Sequence, residues 1–375
     1  MTPRDDSDLV RLFLCGDVMT GRGIDQVLPH PSDPRLHEGF LDSALDYVEH
    51  AERVNGPIPR PVDFAYVWGD ALAELERARP DVRIVNLETA VTRSDDWMPK
   101  GINYRMHPDN VACLTAAAID CCVLANNHVL DWGRAGLTET LETLWKAGIA
   151  TAGAGRIAAE AAAPAIHELG RGRRVVTFAF GSTSSGIPVG WAAREHTPGV
   201  NLLEETDWQT VATDLRRLKR PGDVFVASIH WGGNWGYEIP PQQMRLAHRL
   251  VDEAAIDVVH GHSSHHPKGI EVYAGRPILY GCGDFLNDYE GIEGYAAFRG
   301  DLAVMYLVSF DASAGRLARL EMTPLRMRRF RLDRASREDA RWLRNTLDRE
   351  CAKLGTRVEA TEDDRLRLGF ADPSP

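Results

Sequence analysis

Short apolar runs that each end in a polar residue able to bind metal constrain this chain more than any other feature. The runs Leu9 to Cys15, Val82 to Asn86, Cys121 to Leu124, Arg174 to Phe180, Asp223 to Ile229 and Ile256 to His260 have the length and β-branched content of buried strands. Helical patterns lie between them. Phe40, Leu41, Ala44, Leu45 and Val48 form one apolar stripe, and Leu137, Leu141 and Leu144 form another that Gly148 closes. Strands alternating with amphipathic helices predict an α/β fold with buried sheets.

The later part of the chain changes character. Ile270 to Ala274, Pro277 to Gly281, Leu302 to Phe310 and Arg316 to Thr323 are strand-like, with tight connections such as Ala274-Gly275-Arg276. These predict antiparallel hairpins, and therefore two mixed β-sheets flanked by helices in place of one parallel sheet. We read residues 8–330 as one domain and 331–375 as a C-terminal helix with a charged tail. The helix starts at Ser336, with Asp339 completing a capping box and Leu343 and Leu347 facing inward. The segment after Gly355 is charged, ends Asp-Pro-Ser-Pro, and reads as a loosely held tail.

The chemistry gathers where the strands end, which is where open α/β sheets place ligands. The first run leads into Gly16-Asp17, the second into Asn86-Leu87-Glu88, and the third into Asn126-Asn127-His128 and then Asp131. The fifth ends at His230-Trp231-Gly232; the sixth ends at His260-Gly261-His262, with His265 just beyond. A lone Asp at a strand end is more often a turn residue or helix cap, and a lone His is more often a hydrogen-bonded structural residue. Repeated His and Glu have no such turn preference, so the set points to a metal centre. Mixed carboxylate, amide and imidazole without thiolate suits a divalent Mn, Fe or Zn ion better than calcium. A bridging Glu would allow two ions ~3.5–4 Å apart.

Other classes are excluded or left open. A net charge of -11 argues against nucleic-acid binding, and the short cluster Arg326, Arg328, Arg329 and Arg331 reads as a solvated strand or loop edge. The six cysteines contain no C-x-x-C pair, so no thiolate knuckle or redox motif is visible. The apolar run Ala303 to Phe310 is far short of the ~20 residues that span a bilayer. The amino terminus shows no secretory pattern, so a cytoplasmic protein without membrane contact is expected. Gly16 to Gly23 is a near miss to the phosphate-cradling loop, with Arg22 for its Lys and Gly23 for its hydroxyl residue. Arg22 stays open as a clamp for a substrate phosphate or carboxylate, or as a salt-bridge residue. Gly181 to Gly186 lacks the spacing of a serine elbow. Trp231, Trp235 and Tyr237 could wall a pocket or pack in the core, and Glu238 is a spare carboxylate beside them.

Gly16-Asp17-Val18-Met19, Asn86-Leu87-Glu88, Ala125-Asn126-Asn127-His128-Val129-Leu130-Asp131, His230-Trp231-Gly232 and Gly261-His262-Ser263-Ser264-His265 resemble the ordered motifs of the CapA family. That family is named for poly-γ-glutamate capsule synthesis and is similar to the calcineurin-like metallophosphoesterases; the likeness runs over roughly residues 10 to 310. The resemblance implies a metallophosphoesterase-like sandwich. Asp17, Glu88, Asn127, His230, His262 and His265 would hold one or two divalent ions, with Glu88 bridging. His128 would protonate the leaving group, oriented by Asp131. Met19 stands where the phosphoesterase pattern has a His, which removes one nitrogen ligand. Ser264 replaces the usual Pro, and His266 follows directly, so His265 and His266 compete for one role. Gly283-Asp284-Phe285 replaces the familiar Gly-Asn. The implied function is metal-dependent hydrolysis, first of a phosphate ester through a metal-activated water. The alternatives are an accessory protein of poly-γ-glutamate synthesis that binds the polyanionic chain, or an enzyme acting on γ-glutamyl or peptide amide bonds. The expected partner is a small molecule or an anionic polymer.

Overall fold

The computed structural model of the chain describes residues 9–203, 208–292 and 294–371. In chain order the principal strands are β1 (Leu9–Val18), β2 (Val82–Leu87), β3 (Cys121–Val123), β4 (Ala150–Ala152), β5 (Ala165–Leu169), β6 (Arg173–Gly181), β7 (Val224–His230) and β8 (Val258–His262). They continue as β9 (Ile270–Tyr273), β10 (Arg276–Leu279), β11 (Asp284–Leu286), β12 (Leu302–Asp311), β13 (Arg316–Arg328), β14 (Arg331–Arg334), β15 (Arg357–Ala360) and β16 (Leu366–Gly369). One sheet has the order β15-β16-β13-β12-β1-β2-β3-β4, with β11 paired to β1 and β14 to β13. The other has the order β9-β10-β8-β7-β6-β5. Both are mixed. β1 pairs parallel with β2 and antiparallel with β12, while β7 lies parallel between β6 and β8.

The two-residue period of β1 shows why the sheets stack. Val10, Leu12 and Leu14 face a core shared with Val175, Val226 and Val258 of the other sheet. Phe13 and Cys15 point the opposite way, into a core shared with the helices α1 (Ala44–Asn55), α2 (Ala71–Ala78) and α3 (Gly133–Lys146). The outer face of the second sheet is covered by α4 (Trp208–Leu218) and α5 (Pro241–Ala254), through Trp208, Leu215, Ala247 and Leu250. The result is a sandwich of two mixed sheets flanked by helices. Each fully buried Leu of the inter-sheet core contributes about 2 kcal/mol of apolar burial. No helix among the described residues is long and apolar enough to cross a membrane.

Several expectations change. The stripe expected from Phe40 enters its helix only at Ala44, where Ser43 caps α1 by accepting from the Leu45 N–H; Phe40 is left 63% exposed. The final helix, α6 (Arg337–Ala352), has the expected Ser336 cap and buries Leu343 and Leu347. The segment beyond Gly355, expected as a loose tail, instead forms the β15–β16 hairpin and extends the first sheet along β13. Its reason is apolar alternation: Val358, Leu366 and Leu368 are buried in the inter-sheet core. The short β11 was not anticipated, and it proves central to the site.

Candidate metal centre

Both sheets deliver their strand ends to one place. Asp17 lies in register with Asn86 of β2 on one side and with Asp284 of β11 on the other. His230 and His262 lie in register across β7 and β8. Gly16 permits the close approach of β11: a Cβ there would lie 1.6 Å from the Gly283 carbonyl oxygen. The Asp17 N–H donates to that same oxygen at 2.9 Å.

Asp17, His230 and His262 bring one ligand atom each within 4.8 Å of one another, and so do Asp17, His265 and Asp284. Asp17 is therefore the carboxylate common to both groups. Glu88, expected to bridge, has Oε1 3.8 Å from His128 Nε2 and 3.9 Å from His230 Nε2. Its Oε2 is buried without a hydrogen-bond partner. Asn127 Oδ1 lies 2.9 Å from His230 Nε2. His265 Nδ1 lies 2.8 Å from Asp284 Oδ1, whereas His266 turns away to the Pro267 carbonyl and stacks on Phe298. Met19 is fully buried and its thioether accepts from the Tyr289 hydroxyl, so the position of the missing His offers no nitrogen ligand. Asp284, which sequence reasoning passed over as a ligand, supplies a carboxylate from the neighbouring strand instead. The replaced Gly-Asn motif was the one signal that pointed to it.

The hydrogen bonds fix the imidazole tautomers. His260 Nε2 faces the Cys15 carbonyl at 2.6 Å and must donate to it, because a carbonyl only accepts. Neutral His260 then accepts at Nδ1 from the Ser228 hydroxyl at 3.0 Å, and Ser228 Oγ accepts from His262 Nε2 at 2.9 Å. His262 Nδ1 is left as a lone pair. On the other side His230 Nε2 donates to Asn127 Oδ1, which leaves His230 Nδ1 as a lone pair as well. The two bare nitrogens face each other at 2.8 Å. Burial, reinforced by neighbouring histidines, holds both rings well below the usual imidazole pKa, so a proton between them is disfavoured. A divalent cation beside both nitrogens satisfies the arrangement.

The acids tell the same story. Burial, and then the charge of Asp284, push Asp17 up to about 7. Burial and the charge of Asp17 raise Glu88 well above the carboxylate range. Against the lowering effect of burial, Asp284 holds His265 above its ordinary value. A cluster of buried acids and bare imidazoles is the donor set that a divalent ion fits. The Ser263 N–H also donates to Asp17 Oδ2 at 3.2 Å, from a backbone with φ of 93°. A non-glycine residue there stores local strain of roughly 1–3 kcal/mol.

Beside this group His128 Nδ1 meets Asp131 Oδ2 at 2.6 Å, which turns Nε2 toward Glu88. Asn126 Oδ1 holds this loop by accepting from the His128 and Val129 N–H groups. Burial pushes His128 down to about 4. Lys100, not singled out from the sequence, places Nζ 2.7 Å from Asp131 Oδ1 and 3.2 Å from His128 Nδ1, and also donates to the Asn127 carbonyl. The expected substrate residues lie otherwise. Arg22 is 3% exposed and spends its five N–H groups on Asp288, Glu38, Tyr47 and Tyr104, so none is left to clamp a substrate. Trp231 is buried, and its Nε1 donates to the Tyr280 carbonyl, so it packs in the core. Glu238 is exposed; its backbone carbonyl accepts from Lys268.

Comparison with known proteins gives the family of the chain. The family model of the bacterial capsule synthesis protein PGA_cap matches residues 11–289, which spans every residue of the centre. A "probable polyglutamine synthesis accessory protein" of Mycobacterium tuberculosis is 49% identical over 366 residues, covering 96% of each chain. The "PGA biosynthesis protein CapA" of Bacillus subtilis is 27% identical over 85% of this chain and 72% of its own. The "capsule biosynthesis protein CapA" of Bacillus anthracis is 24% identical over 82% of this chain and 66% of its own. The chain belongs to this capsule synthesis family.

Proposed function

We propose, from that membership, that the chain is an accessory protein of poly-glutamyl polymer synthesis that works through a metal-dependent site acting on an anionic γ-glutamyl substrate. The observation that carries the metal-dependent part is the pair of bare Nδ1 atoms of His230 and His262, 2.8 Å apart beside Asp17. The polymer is suggested by the names of relatives that cover nearly the whole chain or most of it.

In this reading Asp17, His230 and His262 would hold one ion, Asn127 would orient the His230 ring by accepting from Nε2, and Asp17, His265 and Asp284 would offer a second place. Glu88, whose buried Oε2 has no hydrogen-bond partner, lies beside this group with Oε1 3.9 Å from His230 Nε2. A divalent ion, when bound to these residues, would supply Lewis-acid polarisation of an oxygen at the scissile bond. The chain's own residues do the rest. The buried setting strengthens each charge interaction with an anionic substrate. His128 carries the proton: Asp131 anchors Nδ1, and Nε2 faces the centre. Burial holds its ring pKa at about 4 in the free protein, and an anionic substrate beside it would favour the protonated form that can give a proton to the leaving nitrogen or oxygen. Lys100 offsets the charge of Asp131 from the outer side.

The second reading is hydrolysis of a phosphate ester, for which the same His128–Asp131 pair would protonate a leaving oxygen. Turnover separates the two. Metal-loaded protein is offered γ-glutamyl oligomers, a γ-glutamyl anilide and bis-p-nitrophenyl phosphate. Cleavage of the γ-glutamyl probes supports the first reading, and cleavage of the phosphodiester alone supports the second. Polymer binding without turnover supports an accessory role free of bond cleavage. Neither binding nor turnover of any probe would overturn both readings.

A further inference from the structure

Next to His265 the surface opens into a cleft of roughly 540 Å³, a volume typical of small-molecule sites. Its walls expose large apolar side chains that have no reason to face water in an isolated domain. Phe40, Val54, Ile102, Ile292 and Tyr295 all line it, with exposures of 63%, 61%, 36%, 46% and 53%. Large hydrophobic side chains gathered on one concave surface mark a binding site more often than chance exposure. At the end nearest the centre, Trp235 stacks on Tyr295 with ring centroids 3.9 Å apart, and its ring lies 5.3 Å from that of His265.

The charges in this cleft are already matched. Arg299 and Arg326 pair with Asp301 and Asp339. Glu290 accepts from Asn55 and from the Arg329 and Phe330 N–H groups. Arg22 has no N–H to spare. Among the described residues this cleft offers no free cation to a run of carboxylates, so the anionic part of a substrate belongs at the centre, whereas an uncharged hydrocarbon group would bury apolar surface in the cleft.

We infer that the substrate of the centre is an amphiphile: its anionic head would reach the ion that Asp17, His265 and Asp284 would hold, and an apolar, uncharged hydrocarbon group attached to it lies in the cleft. This rests on the metal-dependent reading above and narrows its substrate class.

The test is equilibrium binding of n-alkyl phosphates, methyl to octyl and below their micelle concentrations, to the full metal-loaded chain. Affinity should rise about fourfold per added methylene over the first several carbons. The rise should flatten in the Phe40→Ser and Ile292→Ser variants, whose side chains are exposed and leave the core untouched. Affinity that does not change with chain length, or a rise that the two variants leave intact, overturns the cleft assignment. Inorganic phosphate and 1-alkanols keep the head and the chain separate. Loss of phosphate binding in His262→Ala supports the centre. A chain-length dependence with 1-alkanols, without any phosphate binding, sinks the centre while the cleft assignment stands.

Discussion

His230 and His262 occupy matched positions on adjacent parallel strands, and their Nδ1 atoms meet at 2.8 Å with both lone pairs turned inward. That arrangement depends on the relay from the Cys15 carbonyl through His260 and Ser228 to His262 Nε2. Ser228→Ala removes the acceptor that fixes the His262 tautomer. Metal affinity should fall about 10- to 100-fold, as it does when a metal-binding imidazole loses its orienting partner. Competition with a chelator measures this, and unchanged affinity would show that the relay is not needed.

Asp284 groups with Asp17 and His265 as a candidate second place for an ion. Asp284→Asn keeps the shape and removes the charge. We expect the second ion to bind about 10- to 100-fold more weakly, with the first retained. Titration calorimetry with Mn or Zn distinguishes the two sites; loss of both ions together, or of neither, would contradict the division into two groups.

Gly16→Ala tests whether the approach of β11 builds the site. The new Cβ would meet the Gly283 oxygen at 1.6 Å, so the strand carrying Asp284 must shift. Overpacking of this kind costs at least about 1–3 kcal/mol. Urea unfolding should show that loss, and metal content should drop with it. A variant with wild-type stability and metal content would mean that the contact relaxes without consequence.

His128→Ala separates chemistry from metal binding. Turnover should fall about 10²- to 10⁴-fold, the usual contribution of a positioned acid or base. Metal content should hold, because the ring points at Glu88 and is anchored by Asp131 rather than belonging to either ligand group. If metal is lost in this variant, His128 is a ligand and its proton-carrying role fails.

The C-terminal hairpin has its own electrostatic signature. Asp348 is pushed down to about 2, first by its hydrogen bond with Arg357 and then by the Val358 N–H. A depressed carboxylate stabilises the fold above its ordinary pKa and loses that effect as pH falls toward the folded value. The acid limb of a stability-against-pH curve, between about pH 4 and 2, should therefore flatten in Asp348→Asn. An unchanged limb would mean that the α6–β15 contact is not maintained in solution.

The strands were readable because their residues are apolar on both faces, and a strand between two cores leaves a short continuous apolar run rich in β-branched residues. The strand-end residues were readable for the same reason: Asp17, Glu88, His230 and His262 follow at once where the apolar runs stop. Asp284 was hidden because β11 is only three residues long and reaches its partner across most of the chain, so pairing with β1 rather than local pattern defines it. Lys100 lies in an irregular segment with no period to mark it, and tertiary folding alone brings it to Asp131. The final hairpin was misread because charged residues dominate it and only Val358, Leu366 and Leu368 carry its buried face. Phe40 was misread in the opposite sense, since it lies before the helix, on the wall of a surface cleft.

Metal content, measured by elemental mass spectrometry on tag-free protein beside its Glu88→Ala and His262→Ala variants, tests the centre most directly. Near-stoichiometric Mn, Fe or Zn is expected in the wild type, with a fall in both variants. Wild-type protein that stays free of metal after reconstitution, while folded, would contradict it.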